Sequence, residues 1–570
     1  MSSLWYVTGN SLGHCGTNQA SHSSPARNRV CCYPVTLRSF TIATSPLTSS
    51  TLAIDPSEDV VMGTHSLRFP EGSVTQWAFS TSFSRYLAPT ADRSSADQLS
   101  INTLPDNLLL EIFRFYVGDA GDFERWHTLV HVCRKWRYIV VASGHRLNLR
   151  LLCTGQTPTR EMINAWPSLP IIIKDDGDPT WQRQDAANNI FAAFEQSDRI
   201  CEISLPHVTN ILWQQLVEMA QESFPRLTSL ELAANDETPV IVPDSFLGGS
   251  APRLQNLDLN NVPFPALPNL LLSAPDLVYL RLWDVPNSGY ISPHAMITCI
   301  SAMARLETFY LGFRSPRPPP DPASRLPPPF IRTILPALTR LCFQGNSEYL
   351  DDLVAQIDVP LLDDLSVTFF NQLVFYTPQL LRLVRHTEKL LAFTEADMLF
   401  HGDHVKVKFS SLGGMVDHEP RESLVLSIKC RDSVWQLSAL VQILSPLLPL
   451  LPTLERLDIF EGHHPRPQWQ HDMERYQWLE VLQPFTAVKN VYLSEELALH
   501  VVPALEELVG DGATDVLPAL RTLFLEGHQL TGPLRKALEK FITERQLSGY
   551  PVAVHRWERG YWIASESGGQ

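Results

Sequence analysis

The chain has 570 residues, and 61 acidic against 45 basic side chains leave it at −16 with histidine neutral. That balance excludes a general binder of nucleic acid or of anionic membranes, because phosphate-rich partners need clustered lysine and arginine. Hydrophobic residues at 44% and charged residues at 19% supply a sizeable core and exclude wholesale disorder.

Residues 1–98 are rich in Ser and Thr, poor in charge and without sustained periodicity, so they are predicted to be mostly disordered. The start, MSSLWYVTGN, lacks the basic and apolar regions of a secretory signal. Arg27, Arg29 and Arg38 precede the first acid, Asp55, a composition that weakly resembles a transit peptide but lacks a clear amphipathic helix. Nine scattered cysteines without a CxxC predict neither a disulfide framework nor a structural zinc site. They fit a reducing compartment, cytoplasmic or nuclear. No run of roughly 18 apolar residues is evident, so no membrane-spanning helix is expected.

Order is expected from Ile101. INTLPDNLLLEIFRFYV predicts a helix with Asp106 as N-cap and Leu109, Ile112, Phe113 and Tyr116 on an apolar stripe. GDAGDF is a turn-rich break. FERWHTLVHVCRKWRYIVVAS then reads as one or two helices with Leu129, Val132, Cys133 and Trp136 on one stripe. A unit this small, over 99–147, needs a neighbour to lean on.

From about residue 150 a motif recurs: an aliphatic, two variable residues, an aliphatic, one variable, an aliphatic. Seven copies carry Pro two places before the first aliphatic, beginning at Phe224, Ala251, Ala274, Leu335, Val359, Leu451 and Leu517. Two more, at Met303 and Phe485, lack the Pro, and weaker candidates begin at Ser197, Thr387 and Arg421. The last two aliphatics of a copy face one side of a short strand. Helix-like runs lie between copies: NILWQQLVEMAQES, SPHAMITCISAMA and SVWQLSALVQILSPLL. Repetition of strand and helix predicts an irregular leucine-rich-repeat solenoid of parallel strands over 148–550. RSPRPPPDPASRLPPPF (314–330) interrupts it as a stiff polyproline insertion, and 551–570 reads as a carboxyl-terminal tail.

The amino-terminal helical unit resembles an F-box. The pattern runs through Leu104, Pro105, Leu108, Leu109, Ile112 and Phe113, then Leu129, Val132, Cys133, Arg134 and Trp136. The intervening GDAGDFERWH is longer than the usual linker of that family. The whole chain resembles the F-box proteins with leucine-rich repeats of mushroom-type fungi, and LEKFITERQLSGYPVAVHR is similar to their tail. The fold class that follows is α/β, a three-helix F-box before the solenoid.

The resemblance implies a non-catalytic, substrate-recruiting subunit of an SCF-type (Skp-cullin-F-box) ubiquitin ligase. Its F-box would bind a Skp-family adaptor, and through it a cullin, while the repeats hold a protein substrate. The adaptor contacts it implies are Leu104, Pro105, Leu108, Leu109, Ile112, Phe113, Val132, Cys133 and Trp136. Intramolecular core is the competing role for each, and for Ile112 and Leu129 the two stand level. A scaffold acting outside the ubiquitin system is the alternative.

Strand geometry places Glu231, Asp258, Tyr279, Arg281, Tyr310, Arg340, Arg456, Asp458, Tyr492 and Phe524 on the side away from the core, a mixture suited to protein recognition. No P-loop, GxGxxG, HExxH or GxSxG occurs, so no enzyme, cofactor or metal is expected. His401-Gly402-Asp403-His404 and the group His463, His464, His471 and Asp472 read as solvated loops. Asp351-Asp352 and Asp363-Asp364 are adjacent in sequence and point apart.

Overall fold

The computed structural model describes residues 101–118, 125–157, 159–166, 168–175, 184–235, 240–316, 332–411, 423–462, 469, 474–508, 512, 514–527 and 532–558. All lie in one compact unit, Gln98–Gln570. The expectations for residues 1–98, for most of the Pro-rich segment and for His463, His464, His471 and Asp472 lie outside the described residues.

Among the described residues three short α-helices come first: α1 (Asp106–Val117), α2 (Arg125–Val132) and α3 (Arg134–Ala142). Asp106 is not the cap. Pro105 holds the cap position without a side-chain acceptor, and the Asp106 carboxylate pairs with Lys135 of α3 at 3.2 Å. Nor do Leu129, Val132, Cys133 and Trp136 form one stripe. Cys133 is extended, ends α2, and its Sγ accepts the Trp136 amide at 3.5 Å to cap α3. That break turns Leu129 inward and Val132 outward. The unit leans on the array through Trp126, whose indole N–H donates to the Arg150 carbonyl at 3.2 Å and whose ring meets Trp166 edge-on at 5.1 Å.

Behind it follow β1 (Leu151–Cys153), β2 (Ile171–Lys174), β3 (Ile200–Val208), β4 (Ser229–Ala234), β5 (Asn256–Asn260), β6 (Tyr279–Val285), β7 (Thr308–Phe313), β8 (Thr333–Ile334) and β9 (Arg340–Gly345). Then come β10 (Ile357–Asp358), β11 (Asp364–Phe369), β12 (Glu395–Phe400), β13 (His404–Ser410), β14 (Ser423–Lys429), β15 (Arg456–Glu461), β16 (Asn490–Leu493), β17 (Thr522–Glu526) and β18 (Ala553–Trp557). Sixteen strands form one sheet in the order β1-β2-β3-β4-β5-β6-β7-β9-β11-β14-β13-β12-β15-β16-β17-β18, and β8 pairs with β10 separately. The final strand lies beyond the boundary expected at 550.

Between strands run α4 (Thr159–Ala165), α5 (Gln184–Phe194), α6 (Asn210–Met219), α7 (Leu267–Leu272), α8 (Pro293–Ile300), α9 (Ser347–Val354) and α10 (Pro378–His386). These are followed by α11 (Ser433–Leu447), α12 (Glu474–Leu482), α13 (Glu495–Glu506) and α14 (Gly532–Leu547). A long sheet of mostly parallel strands with helical connections is the architecture of a leucine-rich-repeat solenoid.

The recurring Pro has a local cause. In the copy at Phe224 the Leu227 amide donates to the Phe224 carbonyl at 3.1 Å, closing a turn with Pro225 at its second position. Leu254, Leu277, Leu306, Leu338, Leu362, Leu454 and Leu520 repeat the bond to the residue three before. Proline's fixed φ suits that position, and it has no N–H to lose there. The residue opening each of these turns is buried as well, from Phe224 and Ala251 to Leu451 and Leu517. Each repeat therefore contributes four core positions rather than the three of the motif.

One stretch departs from the regular array. β13 is antiparallel to both β12 and β14, while β14 lies parallel beside β11 and β12 parallel beside β15. Here the chain passes over two strand positions, returns through a hairpin, and crosses forward again along α11. The weak copies at Thr387 and Arg421 fall at this place but out of register. The residues in the strand pattern are Phe393, Ala396 and Met398 for β12 and Leu424, Leu426 and Ile428 for β14.

The same stretch corrects the expectation of no long apolar run. Ser433–Leu450 is one helical segment of 18 residues with mean hydropathy 1.3, enough by length and composition to cross a membrane. Half of it is buried, with Leu437, Leu440, Ile443, Leu444 and Leu447 in the core, as in the core helix of a repeat.

Candidate functional site

Two surfaces carry the sequence-predicted residues. The first is the helical unit. Leu109 and Phe113 are fully enclosed, Phe113 packing on Trp136 with ring centroids 4.8 Å apart. Leu104, Ile112, Cys133 and Trp136 are half-buried, and Pro105, Leu108 and Val132 are exposed. Lys135 donates to the Leu104 carbonyl at 2.9 Å and fixes the entry of the chain.

Sequence reasoning missed the most exposed members of this surface, Phe115 at 85% and Tyr138 at 72%, and also Val141 and Ile101, which are exposed too. Tyr116, expected on the inner stripe, is exposed, its hydroxyl 3.0 Å from Thr128 Oγ1. The signal was present. Leu108, Ile112 and Phe115 recur at i, i+4 and i+7 on the face away from Leu109 and Phe113, so α1 is apolar on two sides.

The second surface is the side of the sheet away from the buried leucines. All ten predicted residues stand at positions alternating with buried aliphatics, but Asp458 is itself buried, at 4% exposed. The register joins Glu231, Asp258, Arg281 and Tyr310 on β4 to β7 into one rung row. The row continues through Cys342, Ser366, Val425, Lys408 and Asp397 to Asp458, Tyr492, Phe524 and His555. Tyr279, Arg340 and Arg456 stand on the neighbouring row. Lys408, Asp397 and His555 were missed: the first two sit on the out-of-register strands, and His555 lies in what reads as a tail.

The row is cross-braced. Ser204 Oγ donates to Glu231 at 2.6 Å, Arg281 to Asp258 at 3.1 Å, and Arg340 Nε to Asp364 at 2.8 Å. Arg456 grips Asp458 through Nε and one terminal nitrogen at 2.8 and 2.7 Å, and reaches Glu395 at 3.4 Å. Its guanidinium lies 4.3 Å from the Tyr492 ring centroid. Tyr492 and Phe524 stack at 4.2 Å with planes 2° apart, and Trp557 meets Tyr492 edge-on at 5.4 Å.

Titration follows from this packing. Burial pushes the Cys342 thiol up to about 12, with Asp364 adding to it, so it is no ready nucleophile. Burial raises Tyr279 to about 12 and also lifts Asp258 against the pull of Arg281. Asp397 is held at about 6, first by burial and then by the carboxylate of Asp458 directly opposite on β15. The hydrogen bonds to Asp458 raise the Arg456 guanidinium.

The remaining motifs have structural roles. His401 and His404 close the β12–β13 hairpin, the His401 amide donating to the His404 carbonyl at 2.8 Å and the rings stacking at 4.3 Å. Asp351 accepts the Gln379 and Leu380 amides at the start of α10, while Asp363 pairs with Lys389 at 3.4 Å. Among the described residues no group of three His, Cys, Asp or Glu side chains is placed to hold a metal. A void of about 10 Å³ lies between Leu259, Phe264, Leu282, Leu311 and Phe313. It has room for one water at most, and its lining is mostly apolar.

No family model matches the chain, and no curated protein matches it. Among solved structures it is similar to the leucine-rich repeat-containing protein LegL7 from Legionella pneumophila, with 11% identity and a TM-score of 0.22. That likeness covers 69% of this chain and 97% of the other.

Proposed function

We propose that the chain is the substrate-recruiting F-box subunit of an SCF-type ubiquitin ligase, without catalytic chemistry of its own. The helical unit docks a Skp-family adaptor, and the outward face of the repeats holds a protein substrate. One observation carries this reading. Seven large apolar side chains, Ile101, Leu108, Phe115, Tyr116, Val132, Tyr138 and Val141, stand exposed on a unit of about forty residues. So many exposed apolar groups on so small a unit mark a surface that a partner covers.

The test is co-elution of the full chain with the adaptor. Phe115→Ser and Tyr138→Ser, both at exposed positions, are expected each to weaken adaptor binding by about 2 kcal/mol or more while the melting temperature holds. Leu104→Ala, Pro105→Ala and Trp136→Ala are expected to weaken it too. Undiminished co-elution of the two exposed-site variants, or none with the native chain, sinks the reading. Adaptor binding without ubiquitin transfer supports a scaffold outside the ubiquitin system instead.

A further inference from the structure

The helical side of the sheet carries a patch distinct from the adaptor unit and from the strand row. The segment from Leu373 to Tyr376 lies between β11 and α10. Leu373 is 73% exposed, Val374 67% and Tyr376 52%, three large apolar side chains within four residues. Their backbone is held from both sides. Gln442 of α11 accepts from the Phe375 amide and donates to the Leu373 carbonyl, both at 3.2 Å, and Gln372 donates to the Val374 carbonyl at 2.8 Å. Ser347 of α9 accepts the Tyr376 amide at 3.1 Å, and Phe375 turns inward against Phe369. An anchored loop thus presents the exposed side chains, so docking there loses little further loop entropy. α10 continues the patch with charge. Its Leu380, Leu383 and Val384 are buried, while Arg382, Arg385 and His386 are exposed. Arg332 donates to Gln379 at 3.3 Å, one turn before Arg382 on the same helix face. Burial, and after it the charge of Arg382, lower the Arg332 guanidinium, with Asp358 pulling the other way. Asp351 is engaged by the first amides of α10 and Asp363 by Lys389. Among the described residues no carboxylate pairs with Arg382 or Arg385.

We propose that this patch docks an acidic protein segment bearing an aliphatic or aromatic side chain. Its carboxylates meet Arg332, Arg382 and Arg385, and its apolar residue lies on Leu373, Val374 and Tyr376. Charge complementarity selects the occupant. On a chain of net charge −16, three neighbouring guanidiniums that Asp358 only partly offsets are a local exception, and guanidiniums match carboxylates in geometry. An extended anionic bilayer would meet the acidic remainder of the chain as well, whereas a short segment feels the field within about 10 Å. Apolar contact beside the charges adds affinity that exposed ion pairs alone do not supply. Neither the adaptor surface nor the strand row takes part, so this docking is independent of the function proposed above.

The experiment titrates the full chain into a short labelled peptide of glutamates around one leucine and one phenylalanine, read by fluorescence anisotropy. Saturable binding is expected. It weakens about fivefold in the double variant Arg382→Gln, Arg385→Gln and about fivefold in Leu373→Ser. Added salt weakens it more in the native chain than in the double variant. The charge-reversed pair Arg382→Glu, Arg385→Glu is expected to lose the glutamate peptide and gain its lysine counterpart. Arg535→Gln, at an exposed arginine of α14 paired with Glu539, is expected to change nothing. No saturable binding below about 1 mM, equal binding of the lysine peptide by the native chain, or unchanged affinity in the arginine and Leu373 variants overturns the proposal. So does binding to phosphatidylserine vesicles with the peptide inert, which marks a lipid surface. So does a dimer in sedimentation that the double variant dissolves, which marks a second copy of the chain. All substituted side chains are exposed, so melting curves are expected to coincide, and the gain of lysine-peptide binding on charge reversal cannot come from misfolding.

Discussion

Asp397 makes a prediction that does not depend on any partner. Its folded value near 6 exceeds the ordinary carboxylate value of 3.8. The folded state therefore holds this proton over a window in which the unfolded chain has released it. The group's contribution to stability falls as pH rises from about 4 to about 6, and the full penalty is present above that window. Asp397→Asn is expected to melt higher than the native chain at pH 7.5, with the two converging near pH 4; calorimetry at both pH values checks this. Residue-level legibility was uneven for a physical reason. Alternation along a strand shows which side a residue takes, so all ten outward residues were readable. The rung each one shares depends on register, and register in β12 to β14 depends on a hairpin that the motif does not encode. In α1 Leu109 and Phe113 were readable as core, but Tyr116 was placed with them wrongly and Phe115 was not placed, because an apolar residue on a second helix face reads like core until the packing is known.

At the scale of the element, the repeating unit is a turn followed by a strand. Eight of the nine clear motif copies close the same backbone bond, and the copy at Met303 does so with Ala304 where the other seven carry Pro. The turn position accepts proline's φ, and among the described residues the Ala304 amide makes no backbone hydrogen bond. Ala304→Pro is expected to stabilise that repeat by about 0.4–1 kcal/mol, chiefly by restricting the unfolded chain. Urea unfolding followed by hydrogen exchange at Leu306 and Phe309 measures it. The strands with a proline punctuation mark were legible in the sequence. β1, β2, β13 and β18 lack that mark, and β13 also runs against the array, so nothing in a parallel-repeat pattern announces it.

Across the whole molecule, a stack of repeats has stability that is close to a sum of neighbour interfaces. The antiparallel strand is the weak coupling in that sum, since β13 alone joins β14 to β12. Val407→Asp, which places a charge at a fully buried position in the middle of β13, is expected to lower hydrogen-exchange protection in β12, β14 and β15. Protection in β4 to β7 is expected to hold. Equal loss in both halves would show one cooperative unit instead. The overall architecture was the most legible level, because it needs only the recurrence of a motif, whereas the order of three strands within it needs the path of the chain.

That path has a consequence for synthesis. A ribosome releases β12 and β13 before β14, yet β14 is the strand that sits against β11. The growing edge at β11 therefore has no neighbour until β14, ending at Lys429, has emerged, and β12 and β13 are joined to the repeats before them only through that later strand.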